Sequence, residues 1–293
     1  LPSLPGVGYS EEIRSIEERL EELRERQPSE VVWRVVERAR HPHRPQTLDY
    51  VEHIFTDFQQ LRGDRVSADD PAIIGGMGTL AGRSVMLIGQ QKGHDLKERQ
   101  RHNFGMARPE GYRKAQRLAR LAEKFHMPVV TFVDTPGAFP GADAEEGGQA
   151  GTIARTLQVF SGLTVPTLSV ILGEGGSGGA VALALTDRVY MLENSIYSVI
   201  TPEGCAAILW RDASEARTAA DALRITAQDL LALGAIDEIV PEPRKGAHKA
   251  HRATAKKLAR ALEAGLRELE ELTPSERRRL RREKFLKMGR IAA

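Results

Sequence analysis

The sequence predicts an α/β protein built on a largely parallel sheet, and three observations lead there. Short apolar runs alternate with helical patterns through the middle of the chain. Two of those runs, residues 128–134 and 167–174, pass directly into glycine loops that lead to helices. Apolar residues make up 41% of the 293 positions, enough to build a core and to argue against disorder. The length suits one large domain with helical additions, or two small domains.

Residues 10–26 read as an exposed helix. Ile13, Ile16, Leu20 and Leu23 recur at helical spacing with Glu and Arg between them, a stripe as narrow as a coiled-coil seam. Such a helix lies on its own domain or packs on a second subunit. Helical patterns follow at 30–40 and 48–58. Residues 72–80 and 84–90, separated by Ala81-Gly82-Arg83, predict a β-hairpin. Further strands are expected at 128–134, 167–174, 187–192 and 196–200, with helices at 110–125, 145–160 and 177–185. Thr201 caps a helix that Pro202 opens. Thr226 with Asp229 resembles a capping box, and its helix ends near Gly234. Residues 235–240 make one more strand, and Pro241-Glu242-Pro243 breaks the chain. Residues 247–272 form a long helix with Leu258, Leu262, Leu266 and Leu269 along one face. Thr273-Pro274-Ser275-Glu276 caps a last, basic helix. Its Arg277, Arg278, Arg279, Arg281 and Arg282 read as a solvated face, with a docking surface for an acidic partner as the alternative.

Composition narrows the function classes. A formal net charge of +2 gives no strong field, so no nucleic-acid partner is expected. The single cysteine, Cys205, can build neither a disulfide framework nor a four-cysteine zinc site, and suits a reducing, cytoplasmic setting. It sits in an apolar helical stretch and reads as a small buried residue. The opening LPSLPGVGYSEE has no basic start followed by an apolar run, so no signal peptide is expected. No apolar stretch is long enough for a membrane helix, so no membrane partner is expected.

The chemistry concentrates in TLSVILGEGGSGGAVALAL, residues 167–185. An apolar strand runs into Gly173, Gly175, Gly176, Gly178 and Gly179, and then into a helix of small residues. Glycines let the backbone approach a ligand, and the free N–H groups of a helix start can hold a developing oxyanion. Tight strand–helix packing is the bland explanation. Gly173-x-Gly175-x-x-Gly178 also matches the dinucleotide fingerprint, but the helix after it is short for that unit. The second loop, Asp134-Thr135-Pro136-Gly137-Ala138-Phe139-Pro140-Gly141, leaves the other buried strand. Its DTPG is similar to a GTPase loop, yet no GxxxxGK[ST] segment accompanies it. Two such loops suit a reaction that passes through an enolate. No Ser-His-Asp arrangement is legible, and His94, His102 and His126 lack metal-ligand spacing. Lys92 ends another strand, ahead of a basic stretch whose cations are mostly solvated, with coenzyme phosphates as an alternative partner.

HPHRPQTLDY (41–50), ADDPAIIGG (68–76), QQKG (90–93), NFGMARPEGYRKA (103–115), DTPGAFPG (134–141), GEGGSGGA (173–180), SVITPEGCAAILW (198–210) and PEPRKGAH (241–248) occur in order. Together they resemble the alpha-subunit family of bacterial acetyl-CoA carboxylase carboxyltransferases. The family has an arginine after its paired glutamates, then Gly-Gln-Ser-Glu, where this chain reads Glu145-Glu146-Gly147-Gly148-Gln149-Ala150-Gly151. The extra glycines weaken the start of that helix.

The resemblance implies a crotonase-like fold of ββα units, as a core over 61–245 with helical additions at 1–60 and 246–293. It implies a beta subunit that carries zinc, an α2β2 heterotetramer, and an active site at the alpha–beta interface. The reaction implied moves a carboxyl group from carboxybiotin, on a biotin carboxyl carrier protein, to acetyl-CoA, giving malonyl-CoA for fatty acid biosynthesis. ATP is spent by a separate biotin carboxylase, and no metal is expected in this chain. By resemblance, Gly178 and Gly179 are backbone donors to the biotin ureido oxygen, and Gly137 and Ala138 a supporting loop. Gly175, Gly176, Ser177, Ala180, Phe139 and Lys92 are expected around the substrates. The competing readings are a self-sufficient crotonase-type hydratase or thioester hydrolase, a scaffold protein, and a dinucleotide-binding oxidoreductase. A hydratase would need its own acid and base, for which Glu174 and Asp134 are the near candidates.

Overall fold

A computed structural model describes Arg14 and residues 29–289. The helix expected over 10–26 therefore lies outside the described residues, apart from Arg14. The chain opens with α1 (Glu30–Ala39) and α2 (Thr47–Ile54), then enters strand β1 (Thr56–Gln60). The hairpin is present as β2 (Ile73–Leu80) and β3 (Arg83–Gln90), antiparallel and in unbroken register. Beyond α3 (Leu96–Arg101) and α4 (Pro109–Lys124), the parallel strands begin. They are β4 (Val129–Thr135), β5 (Thr167–Gly176), β6 (Arg188–Leu192), β7 (Ile196–Ser198) and β8 (Glu238–Val240). Between β4 and β5 lie α5 (Ala142–Glu146) and α6 (Gln149–Gly162), and α7 (Ser177–Ala184) follows β5 directly. Helices α8 (Pro202–Leu209), α9 (Ala216–Ala222) and α10 (Ala227–Ala232) precede β8, and α11 (His251–Glu270) and α12 (Pro274–Lys287) close the chain.

The described residues form one eight-stranded sheet in the order β1-β2-β3-β4-β5-β6-β8, with β7 paired to the end of β5. Side chains alternate along each strand, so each face builds its own core. Met86, Ile88, Val129, Val133 and Ile171 face α4, α6 and α7, against Leu118, Phe160 and Leu183. Val85, Leu87, Val130, Phe132, Leu168 and Val170 face α2 and α11, against Tyr50, Leu258, Leu262 and Leu266. Covering both faces is why the central strands read as continuous apolar runs. Among the described residues, no helix is long and apolar enough to cross a membrane.

Four local expectations need correction. The helix expected over 48–58 stops at Ile54, and Thr56 begins edge strand β1. Phe55 and Phe58 imitate a helical period because the strand is bulged, with Asp57 at φ 53° and the register shifting between Thr56 and Gln59. The helix expected over 145–160 is two helices. Gly148 takes φ 80°, a conformation natural to glycine, and breaks the axis between α5 and α6. The strand expected over 196–200 ends at Ser198, where its pairing with β5 ends. Finally, the arginines of α12 are not all solvated, because Arg277 and Arg281 are buried. They reach the free carbonyls where α6 ends. Arg277 donates to Thr164 O at 2.7 Å and Arg281 to Leu163 O at 2.9 Å, while Arg281 Nε also meets Asp187 at 2.8 Å. Carbonyls at a helix C-terminus lack intrahelical donors and carry partial negative charge, so a cation is well placed there. Arg278, Arg279 and Arg282 are exposed, as expected.

Candidate active site

Strands β3, β4 and β5 run parallel where they adjoin and end side by side, and the site lies beyond those ends. The turn after β4, Pro136 to Phe139, lies against the start of α7. A methyl group built on Gly176 would stand 2.1 Å from Pro136 O, and one on Gly179 would stand 2.6 Å from Gly137 C. Real Cβ atoms do not approach backbone so closely, so these two positions must be glycine for the loops to touch. Gly178 differs, because its added Cβ would meet nothing nearer than Ile153 at 3.7 Å, and Gly137 has open space on that side.

Ser177, Gly178 and Gly179 form the first turn of α7, with Gly176 as N-cap. N–H groups of a first turn have no carbonyl of their own helix to bond, and the helix dipole makes their surroundings positive. Ser177 is exposed and takes φ 50°, a strained conformation for a residue with a Cβ. Gly175 lies within β5 opposite Tyr197 of β7. Ala180 is fully buried in the core, so its methyl group faces away from solvent. Phe139 is braced from two sides. Its N–H donates to Ala107 O at 3.1 Å, and Gln149 donates to its carbonyl at 3.1 Å. The Arg108 guanidinium covers its ring at 4.0 Å.

Lys92 is joined to the same strand ends by charge. Its ammonium meets Asp134 Oδ1 at 2.7 Å and Glu174 Oε2 at 2.6 Å. Glu174 Oε1 meets Arg40 Nε at 2.7 Å, and Arg40 reaches Glu203 at 2.6 Å. Burial alone would raise the Glu174 carboxyl, but Lys92 and Arg40 outweigh it and hold that group at about 2. Burial alone would likewise lower the pKa of the Lys92 ammonium, and the Asp134 and Glu174 carboxylates more than reverse this, raising it. A cavity of about 190 Å³ opens over the network, lined by Arg40, His41, Arg99, Phe104 and Pro136 among others. Arg40 and Glu203 went unrecognised in the sequence as site residues. Arg40 closes a helical pattern, and its carboxylate partners lie 134 and 163 residues away, too far for any local signal.

The arrangement can bind and stabilise negative charge with backbone donors. It is poorly equipped for side-chain proton transfer near neutral pH, since Glu174 is ionised and held in two ion pairs. His94 bonds Asp49 at 2.9 Å, and His102 bonds Pro71 O at 2.6 Å. Cys205 is buried, and burial pushes its thiol pKa up. Among the described residues, no group of three or more His, Cys, Asp or Glu side chains could hold a metal ion.

Comparison with known proteins adds to this geometry. The family model described as acetyl co-enzyme A carboxylase carboxyltransferase-like matches residues 4–289. The protein named acetyl-coenzyme A carboxylase carboxyl transferase subunit alpha from Geobacter metallireducens is 55% identical over 287 residues, covering 98% of this chain and 90% of the relative. Its counterpart from Thermus thermophilus is 53% identical over 288 residues, covering 98% and 92%. Among solved structures, transcarboxylase 12S superposes with a TM-score of 0.65 at 20% identity, over 84% of this chain and 45% of that one. The beta subunit of Pseudomonas aeruginosa geranyl-CoA carboxylase superposes with a TM-score of 0.57 at 19% identity, over 81% and 45%. The chain thus spans less than half of either structure's length, and at these identities the likeness shows a shared crotonase-like fold. With a family match over residues 4–289 and more than half of its residues identical to named alpha subunits, the chain belongs to the acetyl-CoA carboxylase carboxyltransferase family.

Proposed function

We propose that this chain is the alpha half of a biotin-dependent carboxyltransferase that converts acetyl-CoA to malonyl-CoA for fatty acid biosynthesis. Its partners in this reading are a zinc-bearing beta subunit in an α2β2 assembly, a biotin carboxyl carrier protein, and a biotin carboxylase that spends the ATP. In this reading the crotonase-like core begins with edge strand β1 at Thr56, earlier than the expected 61, and runs to about 245, with α1 and α2 before it and α11 and α12 after it as helical additions, and the cytoplasm is the setting.

The observation that carries the reading is the first turn of α7 set against the Gly137–Ala138 loop. Carboxybiotin supplies the carboxyl group to be transferred. The N–H groups of Gly178 and Gly179 hold the ureido oxygen and stabilise the negative charge that gathers there when the carboxyl leaves. The backbone is open beside Gly137 and nearly so beside Gly178, where an added Cβ meets nothing nearer than Ile153 at 3.7 Å, which leaves room for a ligand to approach the backbone there. Gly137 and Ala138 line the same pocket with Gly176, Ser177 and Phe139 beside it, while Gly175 and Ala180 support the turn from β5 and from the core, and Lys92 lines the neighbouring cavity over the Asp134–Glu174 network. Lys92 and Arg40 hold Glu174 ionised, and Lys92 also occupies Asp134 Oδ1, so neither carboxylate is placed to serve as the acid a hydratase would need.

An apolar groove beside the same turn supports the partner. It is lined by Ser177, Gly178, Val181, Tyr197 and Val199, and Val199 is 77% exposed. An exposed apolar surface at a catalytic edge suits a second subunit.

The test is carboxyl exchange between malonyl-CoA and biocytin, using this chain alone, its cognate beta subunit alone, and both together. Activity is expected only in the mixture. Gly179→Val would drive its side chain into the backbone of Gly137, and should cost roughly 100-fold or more in turnover with assembly preserved. Exchange by this chain alone would move the reading to a self-sufficient enzyme. An assembled but inactive wild-type mixture would leave a scaffold role.

A further inference from the structure

The buried amide of Gln90 joins both catalytic loops. Gln90 is the last residue of β3 and is fully buried. Its Oε1 accepts from Asp134 N at 3.0 Å, where β4 leads into the Pro136–Phe139 turn. Its Nε2 donates to Gly179 O at 2.8 Å, inside the first turn of α7. An N–H on one side and a carbonyl on the other allow only one orientation of the amide. The side chain therefore measures the distance between the two loops with one donor and one acceptor.

The rest of the junction leaves Gly179 little freedom. Its Cα side is pressed on Gly137 and Ala138, and its carbonyl is held by Gln90. Fixing that carbonyl fixes how the first turn is rotated about the helix axis, and so where the Gly178 and Gly179 N–H groups point. On the other arm, Asp134 Oδ1 accepts from Glu174 N at 3.0 Å, which closes the link between β4 and β5. Lys92, two residues beyond Gln90, bridges the Asp134 and Glu174 carboxylates. The two residues divide the labour: Lys92 balances charge, whereas the Gln90 side-chain amide bonds only backbone groups and sets geometry.

We propose that Gln90 is a positioning residue for carboxyl transfer, holding the α7 backbone donors in register with the Gly137–Ala138 loop. This rests on the carboxyltransferase reading above. Gln90 touches no reacting atom, so its influence falls on how well the donors match the charge formed during transfer. Catalytic geometry is sensitive at this level, and a displacement of about 1 Å can cost roughly 100-fold.

The experiment uses the assembled alpha–beta complex, with Gln90→Leu and Gln90→Glu in this chain. Gln90→Leu removes both hydrogen bonds at similar size. Gln90→Glu keeps the acceptor for Asp134 N but sets an oxygen against Gly179 O. Exchange between malonyl-CoA and biocytin is measured per assembled complex, with the melting temperature of each complex beside it. The expected result is a kcat reduced about 10- to 100-fold in both variants, with KM for malonyl-CoA within about twofold of wild type. A purely structural Gln90 would instead lower the melting temperature and the yield of complex while leaving kcat per complex unchanged, and that overturns the proposal. Should Gln90→Leu fail to assemble, Gln90→Glu decides by the same criterion. If both fail to assemble, Gln90 is a folding residue and the proposal is wrong. An inactive wild-type complex defeats the carboxyltransferase reading itself, and the inference falls with it; an active wild type beside fully active Gln90 variants defeats the inference alone.

Discussion

Glu174 shows how one residue's surroundings decide its chemistry. Its position at the end of β5 made it a candidate acid or base, and the ion pairs to Lys92 and Arg40 remove it from that role. The carboxyl is held at about 2, below its ordinary 4.5, so the ionised form is favoured in the folded chain. Its contribution to stability is complete above about pH 4.5 and is lost as pH falls toward 2. Urea titrations across that window should show wild type losing stability steeply. Glu174→Gln, with no proton to take up, should give a flatter profile, and equal slopes would contradict the assignment. The glycines of the candidate site were legible because a glycine cluster at a strand end has few structural explanations. Arg40 was not, because nothing near it in sequence distinguishes a helix-ending arginine that meets solvent from one that meets Glu174 and Glu203.

Elements were legible where their signals are local. Thr201 and Thr273 cap α8 and α12 as the sequence suggested, each accepting a backbone N–H three residues on. The basic face of α12 is only partly solvated, since its period is helical but the partners of Arg277 and Arg281 are not in the helix. Arg281 is clamped between Asp187, which also accepts from Thr167 N at 2.8 Å, and the carbonyls ending α6. Removing the cation would take a donor from the buried Asp187 carboxylate and from the Leu163 and Phe160 carbonyls. Arg281→Met should therefore cost roughly 3–5 kcal/mol of unfolding free energy, read from chemical denaturation. A loss below about 1 kcal/mol, the range of surface pairs, would return Arg281 to a solvated role. The Gly147-Gly148 departure acts at this scale too, separating α5 from α6 and leaving Gln149 to begin α6 beneath the Phe139 loop.

At the scale of the molecule, the sheet is the frame that makes distant segments cooperate. Helix α11, from the last quarter of the chain, buries Leu258, Leu262 and Leu266 against β4, β5 and β6 on the face opposite α7. The C-terminal helices are thus part of what holds β5 in place, and β5 positions Gly178 and Gly179. Leu262→Ala should cost about 2–5 kcal/mol, because a fully buried leucine loses both its transfer energy and its packing. Far-UV and near-UV circular dichroism should report that loss as one shifted transition. A separate early transition with the sheet intact would mean that α11 unfolds independently.

The sequence by itself determined the α/β class, the two glycine loops and the family, because periodicity, glycine clustering and ordered motifs are written in neighbouring residues. The tertiary structure alone decided which side chains meet. Gln90 and Asp134 come from two strand ends and Gly179 from the helix turn that follows a third, and Arg40, Lys92 and Glu174 come from three segments of the chain. Parallel strands end at the same edge whatever the length of the crossovers between them, so contacts at that edge join residues that sequence spacing cannot relate.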